Sequence, residues 1–507
     1  MALINVTNLT FYYDGSTENI FDDVSFQVDT NWKLGLIGRN GRGKTTFLRL
    51  LGGRYEYIGQ IHCPVPVDYF PYGMEGIDGT GNCMDVLEEL CPGYELWKVC
   101  RELNLLGVDG DVLYRPYQTL SNGEQTKLQL ALLFSQENHF LLIDEPTNHL
   151  DMRARQLVKE YLAGKRGYIL VSHDRDFMDE CVDHVLVLNR AKITVEQGNF
   201  SSWWENKQRE DRNELERNEN LKKDIRRLEQ AARQARDWAD RKEATKIGFD
   251  PVKEHDRFLD TRCYIAKKSL KMQQRRKNLE SRQRKEIAEK EGLLKNIETA
   301  DDLKLFPLTF HRNALVSMKD LGIYYKNDMN VIKNVINGLT LQLETGDRVA
   351  LIGANGCGKS SLIRAVMSEQ TDNMQVTGEM TVPAGLKISY VCQDTSALKG
   401  SLTDYADRYG IDNTLFRTVL RKLDFERTQF DKPMEEYSGG QKKKVLIARS
   451  LCEQAHLYIW DEPLNYIDIF SRMQIENLIL EFGPTLLFVE HDKSFVDKIA
   501  TRRVQLA

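Results

Sequence analysis

Four short motifs occur twice in this 507-residue chain, in the same order and at nearly constant spacing. Gly38-Arg-Asn-Gly-Arg-Gly-Lys-Thr45 returns as Gly353-Ala-Asn-Gly-Cys-Gly-Lys-Ser360. Leu120-Ser-Asn-Gly-Glu-Gln125 returns as Tyr437-Ser-Gly-Gly-Gln441. Leu141-Leu-Ile-Asp-Glu-Pro146 becomes Leu457-Tyr-Ile-Trp-Asp-Glu-Pro463, and Val171-Ser-His-Asp174 becomes Val489-Glu-His-Asp492. The separations are 315 for Lys44/Lys359, 317 for Ser121/Ser438 and Glu145/Glu462, and 318 for His173/His491. Self-similarity of this kind outranks other sequence signals, because it sets the whole architecture. It predicts two related α/β domains, at 1–200 and 306–507, around an insertion at 201–305.

The insertion differs from its flanks in composition. Lys, Arg, Glu, Gln and Ala dominate, all good helix formers. Gly248-Phe-Asp-Pro251 is its strong break, so two long helices with a tip near 246–258 are predicted, an antiparallel hairpin. Residues 205–300 hold 27 Lys/Arg against 20 Asp/Glu, an excess of seven positive charges. Since the whole chain is at −5, the two repeated domains carry about −12 between them. Within 262–285 there are ten Lys/Arg and one acid, Glu280. A run of this kind is ordinarily a solvated helix face; its basic face also suits RNA phosphates. The candidate contacts are Lys246, Lys253, Arg257, Phe258, Arg262, Lys267, Lys268, Lys271, Arg275 and Arg276.

No stretch approaches the ~20 consecutive apolar residues that a membrane helix requires. The first residues, Met-Ala-Leu-Ile-Asn-Val, lack the basic and apolar regions of a secretion signal. Nine cysteines form no Cys-x-x-Cys pair, which favours reduced, mostly buried thiols. A cytoplasmic monomer with no membrane partner is the expectation.

Gly-x-x-x-x-Gly-Lys-[Ser/Thr] is a phosphate loop: its glycines let amide N–H groups turn inward, and the next helix points its positive end at the same anion. Gly38, Asn40, Gly41, Gly43, Lys44, Thr45 and Thr46 form the first candidate loop; Gly353, Asn355, Gly356, Gly358, Lys359, Ser360 and Ser361 form the second. Lys33–Ile37 and Arg348–Ile352 read as strands entering the loops. The lysines are expected on the β- and γ-phosphates of ATP, the Thr45 and Ser360 hydroxyls on Mg2+. Asp144 and Asp461 end apolar strands, where a carboxylate can hold Mg2+ through its water shell. Glu145 and Glu462 follow as candidate bases for the attacking water. His173 and His491 follow short apolar strands and are candidate γ-phosphate contacts. Tyr13 and Tyr325 sit at matching positions, either stacking on adenine or packing in the core.

Taken together, these motifs around a charged helical insertion resemble the ABC-F family of ribosome-associated tandem ATPases, over essentially the whole chain. Asp144-Glu-Pro-Thr-Asn-His-Leu-Asp151 is similar to that family's wording. The resemblance implies two ABC-type domains, each nucleotide held by one domain's phosphate loop and the other's signature. Ser438, Gly440 and Gln441 would then complete the first site, and Ser121, Gly123, Glu124 and Gln125 the second. It also implies a metal-contacting glutamine, found as Gln393; in the first domain Tyr72 falls there. Other departures are Asn122 in the first signature, Leu464-Asn-Tyr-Ile-Asp468 in the second domain, and Glu490 before His491. They imply unequal sites. The second-domain wording looks like the antibiotic-resistance branch of the Lsa and Vga type. That branch implies entry to the ribosomal tRNA exit site, contact with large-subunit rRNA and peptidyl-site tRNA, and displacement of peptidyl-transferase-centre drugs. A housekeeping translation factor of the same family and the ATPase subunit of a drug exporter are the alternatives.

Overall fold

The structure, a computed structural model, describes residues 2–13, 19–74, 77, 80–148, 150–188, 193–244, 274, 281–282, 303–326, 332–368, 373–425 and 429–506. Residues 1–203 and 300–507 cluster into one compact unit and 204–299 into a second.

Within the larger unit the duplication is visible strand by strand. The first half carries a six-stranded sheet in the order Val67–Phe70, Phe140–Asp144, Tyr168–Val171, Lys33–Ile37, His184–Leu188, Ile193–Gln197. All its pairs are parallel except the last. The second half repeats the order with Ile388–Val391, Leu457–Asp461, Leu486–Val489, Arg348–Ile352 and Arg502–Gln505, all parallel. Strands covered on both faces read as unbroken apolar runs. Tyr168-Ile-Leu-Val171 and Leu486-Leu-Phe-Val489 are buried at every position, as such strands must be.

A three-stranded antiparallel sheet accompanies each parallel one: Phe21–Asp29, Leu3–Phe11, Ile58–His62 in the first half, and Ile332–Glu344, Ala314–Lys326, Met374–Thr381 in the second. Between the two sheets lies one layer of core, with Phe47 and Leu48 of the loop helix against Ile4, Val6 and Leu9. Its counterpart places Leu362 and Ile363 against Leu321 and Ile323. This layering puts both phosphate loops at the carboxyl ends of central parallel strands, where α/β sheets bind ligands. The fold is that of tandem ABC-type ATPase domains with an insertion.

The insertion opens with one helix of 45 residues, Phe200–Ala244. Its surface carries i,i+4 pairs such as Lys207–Asp211 at 2.9 Å, each a small increment of helix stability. The predicted tip at 246–258 and nearly all of the returning arm lie outside the described residues. So do all ten candidate RNA contacts from Lys246 to Arg276.

Candidate functional site

Each phosphate loop is shaped by left-handed backbone that only glycine adopts freely. Gly41 and Gly43 have φ of 82° and 85°, Gly356 and Gly358 of 81° and 98°. A Cβ on Gly358 would stand 2.4 Å from Val335, and one on Gly43 2.6 Å from Ile20. The helices Lys44–Leu51 and Lys359–Val366 start at once, with no side chain capping their first amides. Uncapped amides at a helix start form an anion site. Lys44 Nζ donates to the Gly38 carbonyl at 2.7 Å, and Lys359 Nζ to those of Gly353 and Ala354 at 2.8 and 2.9 Å. Both ammonium groups thus rest inside their own loops.

The Thr46 and Ser361 hydroxyls meet the phenols of Tyr13 and Tyr325 at 2.8 and 2.9 Å. The pairing fixes both tyrosines beside their loops. Tyr13 also packs edge-on against Phe11 and Tyr55 with centroids 5.1 and 5.9 Å away, while its ring stays 42% exposed.

Thr45 donates to Asp144 at 2.8 Å, and Ser360 is hydrogen-bonded to Asp461. Burial pushes both aspartates above the usual carboxylate range. Asp461 Oδ1 is buried without a hydrogen-bond partner, a hard oxygen donor left over. An oxygen set of hydroxyl, carboxylate and the Gln393 amide matches what Mg2+ prefers, so these residues fit that ion. The first site differs. Val67 pairs with Phe140 as Ile388 pairs with Leu457, so sheet register sets Tyr72 at the place of Gln393. Tyr72 binds through its backbone amide to Gln129 at 3.2 Å, and burial pushes its phenol upward. The hydroxyl that does reach Asp144 is that of Tyr69, donating at 3.0 Å.

Glu145 and Glu462 share an unusual backbone, with φ of 55° and 47°. Non-glycine residues in this region carry strain that is common at functional sites. Their amides donate to Val171 and Val489 of the neighbouring strands at 2.9 and 3.0 Å. In both, a histidine Nε2 approaches the carboxylate at 3.3 Å: His173 to Glu145 and His491 to Glu462. His491 Nε2 has no hydrogen-bond partner, so this approach lacks hydrogen-bond alignment.

Beyond that the two glutamates part. Glu462 Oε2 accepts from Gln393 at 2.8 Å and Asn465 at 2.7 Å. Burial acts upward on Glu462, but His491, Lys443 and Asn465 outweigh it and hold the carboxyl below its ordinary range. Burial, then the neighbouring Asp144, push Glu145 up to about 8, and its Oε1 is buried without a hydrogen-bond partner. Removing the Asn465 donor with Asn465→Ala is expected to lower ATP turnover about three- to tenfold while nucleotide affinity holds, since only the base is loosened. Turnover and fluorescent-nucleotide titration check this; an equal loss in both would reject it.

The signatures stand across from the opposite loops. A cavity of about 960 Å³ is walled by Lys359, Ser360, Gln393, Glu462 and His491 of the second domain and by Ser121, Gly123 and Glu124 of the first. On the other side, Asn40 Nδ2 donates to the Tyr466 carbonyl at 2.9 Å, and a Cβ on Gly440 would lie 3.3 Å from the same amide. Lys44 also feels the charges of Asp468 and Lys444, both from the second half. Each cleft is therefore built from both halves, head to tail.

Three signature side chains are also tied to their own backbone. Glu124 and Gln441 turn back to accept from the Ser121 and Ser438 amides at 2.8 and 2.9 Å, closing capping boxes at the starts of helices Asn122–Ser135 and Gly439–Cys452. Gln125 donates to the Tyr117 and Leu120 carbonyls. Capping satisfies unpaired helix-start amides, and Glu124 does this while still lining the cleft.

Sequence reasoning passed over Tyr69, Lys444 and Arg39. Each meets a partner on another element: Lys444 Nζ reaches Asp468 at 3.1 Å, and Arg39 pairs with Asp424 of the other half. The non-repeating character of Arg39, against Ala354, was the available signal.

Comparison with known proteins agrees with the duplication. The family model described as "ABC transporter" matches residues 21–69, 80–148 and 336–465. The ATP-binding protein YdiF of Bacillus subtilis (strain 168) is 26% identical over 561 residues, covering all of this chain and 80% of that one. The ribosome protection protein VmlR of the same organism is 25% identical over 517 residues, covering all of this chain and 87% of that one. Among solved structures, the archaeal ribosome recycling factor aABCE1 in complex with stalk protein aP1 aligns with a TM-score of 0.59 at 17% identity, over 98% of this chain and 87% of that one. At that identity the likeness speaks to fold. Among the described residues no helix is long and apolar enough to cross a membrane. With the motifs, the paired sheets and relatives matched along the whole of this chain, the chain carries tandem ABC-type ATP-binding domains around an insertion.

Proposed function

We propose that the chain is an ATP-driven ribosome-binding factor: domains at 1–200 and 306–507 close on two ATP molecules, and a basic hairpin at 201–305 enters the tRNA exit site. There it meets large-subunit rRNA and peptidyl-site tRNA and displaces drugs from the peptidyl-transferase centre. The observation that carries this reading is the composite cleft, with Ser121 and Gly123 facing the Lys359 loop. A signature that reaches the γ-phosphate only when the halves meet makes ATP bind the closed state better, and differential affinity of that kind shifts populations. Likeness to a ribosome protection protein over the whole chain supports the partner.

In the chemical step, Glu145 and Glu462 polarise the attacking water, and His173 and His491 hold the γ-phosphate side of the cleft. Lys44 and Lys359 leave their loop carbonyls for phosphate oxygens. Thr45 and Asp144, and in the other site Ser360, Asp461 and Gln393, would hold Mg2+, which would supply neutralisation of the developing charge. Hydrolysis then opens the halves and releases the ribosome.

Two measurements test the reading. Neutralising Lys267, Lys268, Arg275 and Arg276 is expected to flatten the salt dependence of ribosome binding, by about one unit of log–log slope for each phosphate no longer neutralised. An unchanged slope removes RNA phosphates as the insertion's target. Expression in a susceptible host is expected to raise resistance to lincosamides, pleuromutilins or group A streptogramins. Retained ribosome binding with unchanged susceptibility would identify a housekeeping translation factor instead.

A further inference from the structure

In a chain built twice, the places where the halves differ mark what one half does alone. The first phosphate loop is gripped from the other half by groups that its twin cannot have. Arg39 forms an ion pair with Asp424, and its guanidinium lies over the Phe470 ring, 5.8 Å from the centroid. Phe470 also meets Trp203 edge-on, with centroids 6.2 Å apart. Trp203 is buried in the first turn of the helix Phe200–Ala244, the root of the insertion. Lys44 Nζ is within 3.3 Å of the Arg39 carbonyl, so this chain of contacts ends at the loop lysine itself.

The reciprocal positions carry none of this chemistry. Ala354 stands for Arg39, Gly107 for Asp424 and Arg153 for Phe470. The equivalence holds in the backbone. Asp424 and Gly107 both follow their helices in left-handed conformation, with φ of 58° and 64°. Phe470 and Arg153 are each the second residue of helices capped by Asp468 and Asp151. Asp424 bears conformational strain to keep a carboxylate where the other half has glycine.

We propose that Phe470 is a positioning residue linking the first nucleotide site to the insertion: closure over the first nucleotide seats Phe470 between Arg39 and Trp203 and so orders the insertion's root. Among the described residues the second site has no such link. This rests on the reading that ATP closes the two halves. It adds which nucleotide governs the insertion and through which side chain.

The test uses the full chain with Glu145→Gln and Glu462→Gln, carrying spin labels on introduced unnatural amino acids because nine cysteines are native. One label pair, at positions 160 and 481, reports closure of the halves; a second pair, at 209 and 481, reports the insertion's root. Both distance distributions are expected to narrow with ATP. Phe470→Ala is expected to abolish narrowing of the second pair alone, or to raise the ATP needed for it about three- to tenfold, the scale of one aromatic edge contact and one part-exposed cation–π pair. Phe470→Tyr restores the response. Arg39→Gln, which changes no side chain of the second half, reproduces the loss. If Phe470→Ala and Arg39→Gln leave the second pair responding as before, the link is wrong. If the first pair never responds to ATP, closure itself is wrong and the link falls with it.

Discussion

Changing both Glu145 and Glu462 to glutamine is expected to cut ATP hydrolysis by about 10²- to 10³-fold while ATP binding persists. Removing a positioned general base ordinarily costs that much. Glutamine keeps the shape of the side chain, so the Gln393 and Asn465 donors near Glu462 retain an oxygen to meet. The closed state then accumulates, and the double variant is expected to sediment with ribosomes in ATP more completely than the parent. Sedimentation no better than the parent's would break either the base assignment or the coupling of closure to ribosome binding. The single variants are informative too. Glu462 has two hydrogen-bond donors and a lowered pKa, whereas Glu145 is buried beside Asp144 and pushed up to about 8. Glu462→Gln is therefore expected to remove the larger share of turnover.

The second large effect is on stability. Asp468 is fully buried and holds Lys444 at 3.1 Å, while its carboxylate also accepts from the Ser471 amide and hydroxyl, each at 3.0 Å. Asp468→Ala leaves an ammonium buried without its partner, which costs roughly 3–5 kcal/mol. Thermal or urea unfolding is expected to show a loss on that scale, with Asp468→Asn less severe because the amide still caps the helix. Burial works against the carboxylate, but Lys444, the Ser471 amide and Lys44 prevail and depress its pKa. A depressed carboxyl stabilises fully above its unfolded value of about 4 and loses that contribution as pH falls below it. The difference between parent and variant should therefore be flat near neutrality and shrink only in acid. A difference that grew towards acid would show that the pair is not an ion pair.

Much of this protein was legible in its residues. Glycine spacing and the apolar runs before it placed both phosphate loops on strand–helix junctions, because left-handed backbone and two-sided burial each leave a signature in sequence. Repetition at one offset disclosed the duplication and the insertion between the halves. Tertiary structure alone decided the rest. Tyr69 reaches Asp144 from within the strand Val67–Phe70, whereas Tyr72 lies beyond that strand's end, and only pairing with the neighbouring strand decides which of them meets the carboxylate. Thr46 and Ser361 meet tyrosines 33 and 36 residues away, and Glu124 and Gln441 cap their own helices. Arg39, Asp424, Phe470 and Trp203 meet only because the halves pair head to tail. Local pattern records what a backbone segment must do; it does not record which distant segment will lie against it, since that follows from how the two halves bury each other's surfaces.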